Sequence, residues 1–360
     1  MLRCRGCGQL RLRRRSGATR RHVALYLLGP AVVCCGVAAA SFMISEGCRH
    51  VLPHKAPAWR PVHLACMAIL ALNFFFNYSH AVMTDAGTPA RPAYARLLRE
   101  AREAGLVSAA DHEAQLSGSL SLETLAEPGI ALRRPSEPFR WSFCRRSGLL
   151  KPPRAHFDGV TEALVLNFDH YCVWLFNAVG HGNYRYFILT VLQLWLAAVF
   201  GLVETVGPFL SQRQAWLELN ATLTQGMAAD AGRQHSARQA VLVSRAADEV
   251  ESLWVLLLLC AVCILVIGHF AGWHLWHCVL NNRTTIETYA EAQRRRQSAP
   301  PATSLPNAYD WGSRQANWAW HFGGRGIVAS VLIPSRAPPP WPPYPCPTLV
   351  EAQRPADSMA

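Results

Sequence analysis

The sequence is short of charge. Only 16% of its 360 residues are Asp, Glu, Lys or Arg, while 51% are hydrophobic; ordinary soluble domains carry about 25% charged residues. The shortfall excludes a conventional soluble domain and points to a membrane. Acid is also missing where base is dense: residues 1–21 hold Arg3, Arg5, Arg11, Arg13, Arg14, Arg15, Arg20 and Arg21 and no Asp or Glu. Such a run could bind nucleic acid, but it directly precedes a long apolar segment and so reads as a cytosolic topogenic flank, with no nucleic-acid partner. The cysteine pattern of a disulfide-stapled domain is absent too. The twelve Cys are scattered, and Cys34, Cys35, Cys66, Cys260 and Cys263 fall inside apolar runs, which excludes a disulfide-stapled domain and suits small packing residues. Ionisable residues within the apolar runs are few, chiefly Glu204 and His269, so a channel or transporter has little support.

Four apolar runs are long enough to cross a bilayer as helices, which takes about 20 residues each. The sequence therefore predicts an all-α polytopic membrane protein, with a cytosolic, largely irregular domain between spans two and three. The expected order is a basic cytosolic N-terminus (1–22), a first span (23–45), a lumenal link (46–60), a second span (61–83), a cytosolic linker with an amphipathic helix (84–140), a central domain (141–185), a third span (186–209), a polar lumenal loop (210–252), a fourth span (253–276) and a cytosolic tail (277–360). The first run is too long for the apolar core of a signal peptide, about 7–15 residues. Leu97, Leu98, Ala101 and Leu106 carry the helical spacing of the linker. Asn220-Ala221-Thr222 would be a lumenal glycan acceptor. Glu204 is expected at an interface or paired within the bundle; His80, His269 and His274 are expected to be interfacial or packed. Residues 337–347 are proline-rich and are expected to be extended and poorly ordered. Cys4 and Cys7 lack a second pair for a zinc site; basic-flanked, they are free thiols or acylation sites.

The chemistry concentrates in Trp141–Phe187. Asp169, His170 and Cys172 supply a thiol, an imidazole and a carboxylate within four residues, the minimal set for an activated sulfur nucleophile: His170 as base, Asp169 fixing its tautomer. Neighbours in sequence need not touch, so packing remains the bland alternative for each. Lys151, Arg154 and His156 form a basic cluster suited to a phosphate-bearing donor or to lipid headgroups.

These residues resemble the DHHC protein S-acyltransferases (palmitoyltransferases). Asp169-His170-Tyr171-Cys172 is similar to the signature tetrad in its DHYC form. Lys151-Pro152-Pro153-Arg154-Ala155-His156 matches the upstream pattern, and Trp174, Asn177, Gly180, Asn183, Tyr184, Arg185, Tyr186 and Phe187 match the downstream one. Asp85-Ala86-Gly87 stands for the DPG motif, Thr284-Thr285-Ile286-Glu287 is a full TTxE motif, and Asn307 through Gly323, with Asn317 and Phe322, resembles the C-terminal segment. The resemblance implies a two-step transfer of a fatty acyl group from palmitoyl-CoA or a related acyl-CoA to cytosolic cysteines of protein substrates, through acyl-Cys172. It places Lys151, Arg154 and His156 near the coenzyme A phosphates, Thr285 against Asp169, Glu287 in the motif's support, and Asn317 as a structural tie. The acyl chain would lie among the spans in contact with membrane lipid. The membrane would be Golgi or endoplasmic reticulum, with both termini cytosolic.

The resemblance also implies two zinc ions, each held by three Cys and one His, and here the ligands are gone. Cys144 survives at the first site beside Ser147, Phe157 and Leu164; Asp158, Thr161, Tyr171 and Ala178 occupy the second. A structural zinc needs four N or S ligands, so no metal is expected and packing must hold the domain. Loss of the ligands keeps a catalytically inactive scaffold or chaperone in play; the intact nucleophile set argues for the enzyme.

Overall fold

The computed structural model describes residues 20–126, 138–228, 233–297, 307–339 and 341–345. The arginine-rich head through residue 19, with Cys4 and Cys7, lies outside them. Helix α1 (Arg20–Glu46) carries the first apolar run and passes through a π-helical turn (Gly47–Val51) and two 3-10 turns into α2 (Arg60–Met83). Helices α3 (Pro92–Glu103) and α4 (Ala109–Ser117) follow. Then come six three-residue strands: β1 (Ser142–Cys144), β2 (Leu149–Lys151), β3 (His156–Asp158), β4 (Ala163–Val165), β5 (His170–Cys172) and β6 (Asn177–Val179). Two long helices, α5 (Tyr184–Ala228) and α6 (Arg233–His274), pack along each other; a π-helical turn (Leu275–Leu280), α7 (Thr285–Gln297), α8 (Arg314–Phe322) and α9 (Ile327–Leu332) complete the described chain. Among the described residues three helices are long and apolar enough to cross a membrane, spanning Pro57–Met83, Tyr184–Thr222 and Ala240–Leu280.

Three expectations need correction. The chain is mostly helical rather than all-α, and the central domain is not irregular: β1–β2, β3–β4 and β5–β6 are three separate antiparallel hairpins. Strands this short lie below the window in which alternation can be read. Their turns also run through left-handed residues, Glu162 (φ 53°) and Phe176 (φ 49°), that announce no turn by residue type. The polar stretch 210–252 is not a loop over its described residues, because α5 runs on to Ala228 and α6 begins at Arg233. Its Ala, Gln and Arg are strong helix formers, and a helix leaving the bilayer has no reason to stop there. Part of the proline-rich segment is packed: Pro342, Pro343 and Tyr344 are buried, while Ala337 and Pro338 are exposed.

The linker helix has a firmer place than a solvated surface. Pro92 at its first turn suits a helix start, and Leu97, Leu98 and Ala101 are almost wholly buried in the core of the first two hairpins, with Trp141, Leu150 and Leu164. Polar groups fix the same contact. The Tyr94 hydroxyl donates to the Leu150 carbonyl (2.6 Å), and the Leu150 amide donates to Gln115 Oε1 (2.6 Å). Both backbone groups of one hairpin residue are thus satisfied by α3 and α4.

A second core lies where the third hairpin meets the membrane helices. It joins Phe74, Tyr78 and Ala81 of α2, Cys172 and Val179 of the hairpin, and Tyr184, Phe187 and Ile188 of α5. Further along the bundle a cavity of about 830 Å³ including its mouth is lined by Met43, Met67, Phe74, Leu194, Phe200 and Leu256. One end holds a charged group: Glu204 Oε2 lies 2.5 Å from Lys55 Nζ and 3.1 Å from His63 Nδ1. Glu204 is therefore paired within the bundle.

Candidate active site

The strand geometry of β5 explains the spacing of the nucleophile set. Side chains on a strand alternate faces, so residues two apart share one; His170 and Cys172 therefore point the same way and Tyr171 points opposite. β6 pins this arrangement through the pairs His170↔Val179, Tyr171↔Ala178 and Cys172↔Asn177. Asn177, directly across from the thiol, donates its amide to the carbonyls of Ala81, Val82 and Thr84 (3.1, 3.2 and 2.9 Å). Those carbonyls lie at the end of α2, where intrahelical donors run out, and Asn183 adds longer bonds to the Ala81 and Thr84 carbonyls (3.3 and 3.4 Å). Two asparagine side chains thus cap the helix, and one of them sits across from Cys172. Asp85-Ala86-Gly87 docks from the other side: the Gly182 amide donates to the Ala86 carbonyl (3.0 Å), and a Cβ on Gly182 would sit 2.1 Å from the Asp85 carbonyl oxygen. Only glycine fits that approach.

Asp169 is 2% exposed and fully engaged. Its Oδ2 accepts from His170 Nδ1 (2.7 Å) and the Thr285 hydroxyl (2.7 Å), and its Oδ1 from the Thr285 amide (2.6 Å) and the Cys278 thiol (3.7 Å). Burial alone would raise its pKa, but the His170 hydrogen bond, the neighbouring imidazoles and the Thr285 amide hold it below the usual carboxylate range. A carboxylate at the N-terminus of a helix, here α7, gains further from the helix dipole. The Cys172 thiol, two residues on and on the same strand face, also acts on the imidazole. Burial pulls the imidazole pKa down, yet the Asp169 hydrogen bond and the influence of Cys172 outweigh it and raise the value to about 9. Cys172 itself is 8% exposed, set among Phe74, Tyr78 and Leu175, while Val173 and Trp174 beside it are 48% and 64% exposed. The arrangement can keep a protonated imidazole beside the Cys172 sulfur and present that sulfur toward apolar surroundings.

Thr284-Thr285-Ile286-Glu287 is a helix capping box as well as a motif. The Thr284 amide donates to Glu287 Oε2 (2.9 Å) and the Glu287 amide to Thr284 Oγ1 (3.3 Å), the reciprocal pattern of S/T-x-x-E at a helix start. The capped turn is what aims the Thr285 amide and hydroxyl at Asp169.

The predicted basic cluster is divided. Arg154, in a left-handed conformation (φ 59°), turns inward and is 3% exposed. Its Nε and Nη2 each donate to Glu287 at 3.0 Å, Nη2 and Nη1 reach the carbonyl and side-chain oxygens of Asn282 (3.0 and 3.2 Å), and its Cζ lies 4.6 Å above the Tyr309 ring. Lys151 and His156 are half-buried on β2 and β3 to either side, paired across their hairpins with Ser142 and Val165. Asn317 donates to the Leu280 carbonyl (2.8 Å) and accepts from the Trp311 amide (3.0 Å), joining the tail to the end of the π-helical turn.

The positions of the missing zinc ligands are brought together but offer no ligand set. Phe157 faces Leu164 across β3–β4 and Tyr171 faces Ala178 across β5–β6. Asp158 Oδ2 accepts from the Thr161 amide (2.9 Å) and hydroxyl (2.7 Å). Four of the eight side chains are hydrocarbon or aromatic, and Cys144 is the single thiolate source, so neither quartet fits zinc. A different trio, Asp169, His274 and Cys278, has its ligand atoms within 4.8 Å of one another, all buried. Sequence reasoning missed Cys278 and Asn282, and read His274 only as packed or interfacial. Nothing in residue type or spacing marks them, since they meet the site only through the π-helical turn. The capping box was legible as T-x-x-E.

Site and fold together bring a cysteine, a histidine and a buried aspartate to the end of helices long and apolar enough to cross a membrane. Residues 137–292 match the family model for DHHC palmitoyltransferase, and the chain carries that domain, with the tetrad written Asp169-His170-Tyr171-Cys172. It is 28% identical over 230 residues to a probable protein S-acyltransferase 16 of Arabidopsis thaliana, covering 64% of this chain and 62% of that one. It is 26% identical over 240 residues to palmitoyltransferase ZDHHC16A of Danio rerio, covering 59% and 60%. Over a shorter stretch of 75 residues it is 40% identical to a probable protein S-acyltransferase 14 of Arabidopsis thaliana, covering 21% and 24%. The chain spans about three-fifths of the length of the first two relatives.

Proposed function

We propose that this chain is a protein S-acyltransferase that carries a fatty acyl group on Cys172. The observation that carries the reading is the bonded series Thr285–Asp169–His170 with Cys172 on the same strand face, set where α2 ends. In the first step the Cys172 thiolate attacks the carbonyl carbon of an acyl-CoA thioester. The bond to the coenzyme A sulfur breaks, and that sulfur takes the proton of the His170 imidazolium. Acyl-Cys172 bears no charge, so the anion that helped raise the His170 pKa is gone and the imidazole becomes a competent base. In the second step it removes the proton of a substrate cysteine thiol. The new thiolate attacks the acyl carbonyl, Cys172 leaves as thiolate, and the ion pair is restored. Asp169 keeps Nδ1 of His170 protonated throughout, which leaves the other ring nitrogen to move the proton.

The acyl chain would run from Cys172 into the apolar cavity between α1, α2, α5 and α6. Lys151 and His156 remain the candidates for the coenzyme A phosphates; Arg154, committed to Glu287, supports the capped turn instead. The length and apolarity of α1 favour a fourth span, putting the site and both termini on the cytosolic face of a Golgi or endoplasmic reticulum membrane. The quartets at the hairpins favour a domain without zinc. Labelling purified protein with an acyl-CoA analogue tests the proposal. The label should be hydroxylamine-sensitive, map to Cys172 and vanish in Cys172→Ser; retention of label in that variant would move the chemistry to another thiol.

A further inference from the structure

Two-stranded hairpins are marginal on their own, and a unit of roughly 40 residues usually needs a metal, disulfides or outside packing. Helices α3 and α4 supply one side of that packing. The tail beyond α9 supplies another, because residues 334–339 and 341–345 cross the unit and touch at least six separate parts of the chain. Tyr344 is 1% exposed in the main core of the unit, its ring 6.5 Å from that of Phe139 and 6.3 Å from that of Tyr309. The Trp341 indole donates to Glu100 Oε2 (3.2 Å), and Arg96 sits 4.2 Å over its ring. The proline carbonyls are read directly: the Trp320 indole donates to that of Pro342 (3.0 Å), and the side-chain amide of Asn167 to that of Pro343. Arg185 donates to the Ala337 carbonyl. Asn167 is left-handed (φ 46°) and lies two residues before Asp169, so the contact borders the nucleophile loop.

Aromatic side chains that flank a segment, with an indole N–H and an amide donating to proline carbonyls, are the chemistry by which proline-rich peptides are recognised. Such segments bring little conformational entropy to lose. We infer that the hairpin unit has a groove for a proline-rich peptide with aromatic anchors, formed by Phe139, Tyr309, Trp320, Asn167 and the Arg96–Glu100 face of α3. The Trp341–Pro345 segment is the ligand it holds in cis. Seated there, the segment does for the hairpins what bound metal does elsewhere: it ties separate turns together. This inference does not depend on acyl transfer.

The test uses the protein in detergent, a chain ending at Arg336, and a fluorescent peptide of residues 334–345. The shortened chain should bind the peptide, and the full chain should bind it at least about tenfold more weakly, because its own tail competes at high effective concentration. A Tyr344→Ala peptide should not bind. Amide exchange across 142–179 should be at least about tenfold faster in the shortened chain and slow again when peptide is added. Should the shortened chain not purify in folded form, full-length Tyr344→Ala takes its place: it should accept the added peptide where the parent does not, and Tyr344→Phe should behave as the parent. Absence of peptide binding in whichever chain is used overturns the inference. Equal binding of the Tyr344→Ala peptide does so too. None of these readouts involves an acyl group, so a failure here is separate from a failure of the proposed enzyme activity.

Discussion

Arg154 separates two accounts of the basic cluster, and its replacement can be worked through. The guanidinium is 3% exposed and its partner Glu287 15%. The pair is bidentate, with both contacts at 3.0 Å, and Asn282 takes two further hydrogens. Breaking a buried ion pair by removing one partner costs about 3–5 kcal/mol, because a charge is left without compensation. Glu287 keeps some contact with water, so about 3 kcal/mol is the expected loss for Arg154→Gln. At about 2–4 °C per kcal/mol for a domain of this size, the thermal midpoint should fall by about 6–12 °C. Glu287→Gln alone should cost a similar amount. The double variant, with no stranded charge, should recover about 2 kcal/mol of the summed loss, the coupling expected of directly bonded groups. Arg154→Lys cannot reproduce the fork and should be intermediate. Kinetics divide the accounts further. A residue that braces the capped turn acts on Asp169, so single-turnover acylation of Cys172 should slow at least about tenfold while the KM for acyl-CoA barely changes. A phosphate ligand would do the reverse. An Arg154→Gln protein with the parent's thermal midpoint and a raised KM for acyl-CoA would refute the reasoning.

Other consequences follow from the same geometry. The His170 pKa of about 9 in the folded protein lies above the unfolded value of about 6.5. Its stabilisation is therefore complete below about pH 6.5 and is lost as pH rises through about 9, a change on the order of 3 kcal/mol. Unfolding measured across that window should show the loss in the parent and not in His170→Gln; identical curves would remove the ion pair from the account. Thr285→Val keeps the amide bond to Asp169 but deletes the hydroxyl bond, a charge-assisted contact of about 1.5–3 kcal/mol. Acylation should slow by about 10–100-fold, and Thr285→Ser should restore most of it; parental rates in the valine variant would leave Asp169 independent of that hydroxyl. Elemental analysis of purified protein should find no stoichiometric zinc, and chelators should not lower its thermal midpoint. Two zinc ions per chain would overturn the assessment of the hairpin quartets.

Much of this molecule was written in its residue order. Apolar length located the long apolar helices, since a bilayer demands about 20 such residues wherever they occur, but not their ends: α5 and α6 run well past the apolar runs through the polar stretch between them. Asp169, His170 and Cys172 were visible as a chemical set because few other combinations suit a thiol nucleophile. What sequence could not decide was which groups face one another. The i, i+2 relation of His170 and Cys172 became meaningful only once β5 was a strand, and that strand exists because β6 and the end of α2 hold it. Arg154 looked like a phosphate ligand by position. A left-handed backbone and a buried Glu287 turned it inward, and residue type encodes neither. Cys278 and His274 reach Asp169 through a π-helical turn that has no sequence signature, and part of the proline-rich tail proved to be packed because Tyr344 found an aromatic site made by residues far away in the chain. Composition and periodicity report how each segment partitions between water and lipid. Contacts between segments depend on shape and on the few polar groups left to satisfy, and only the folded chain settles those.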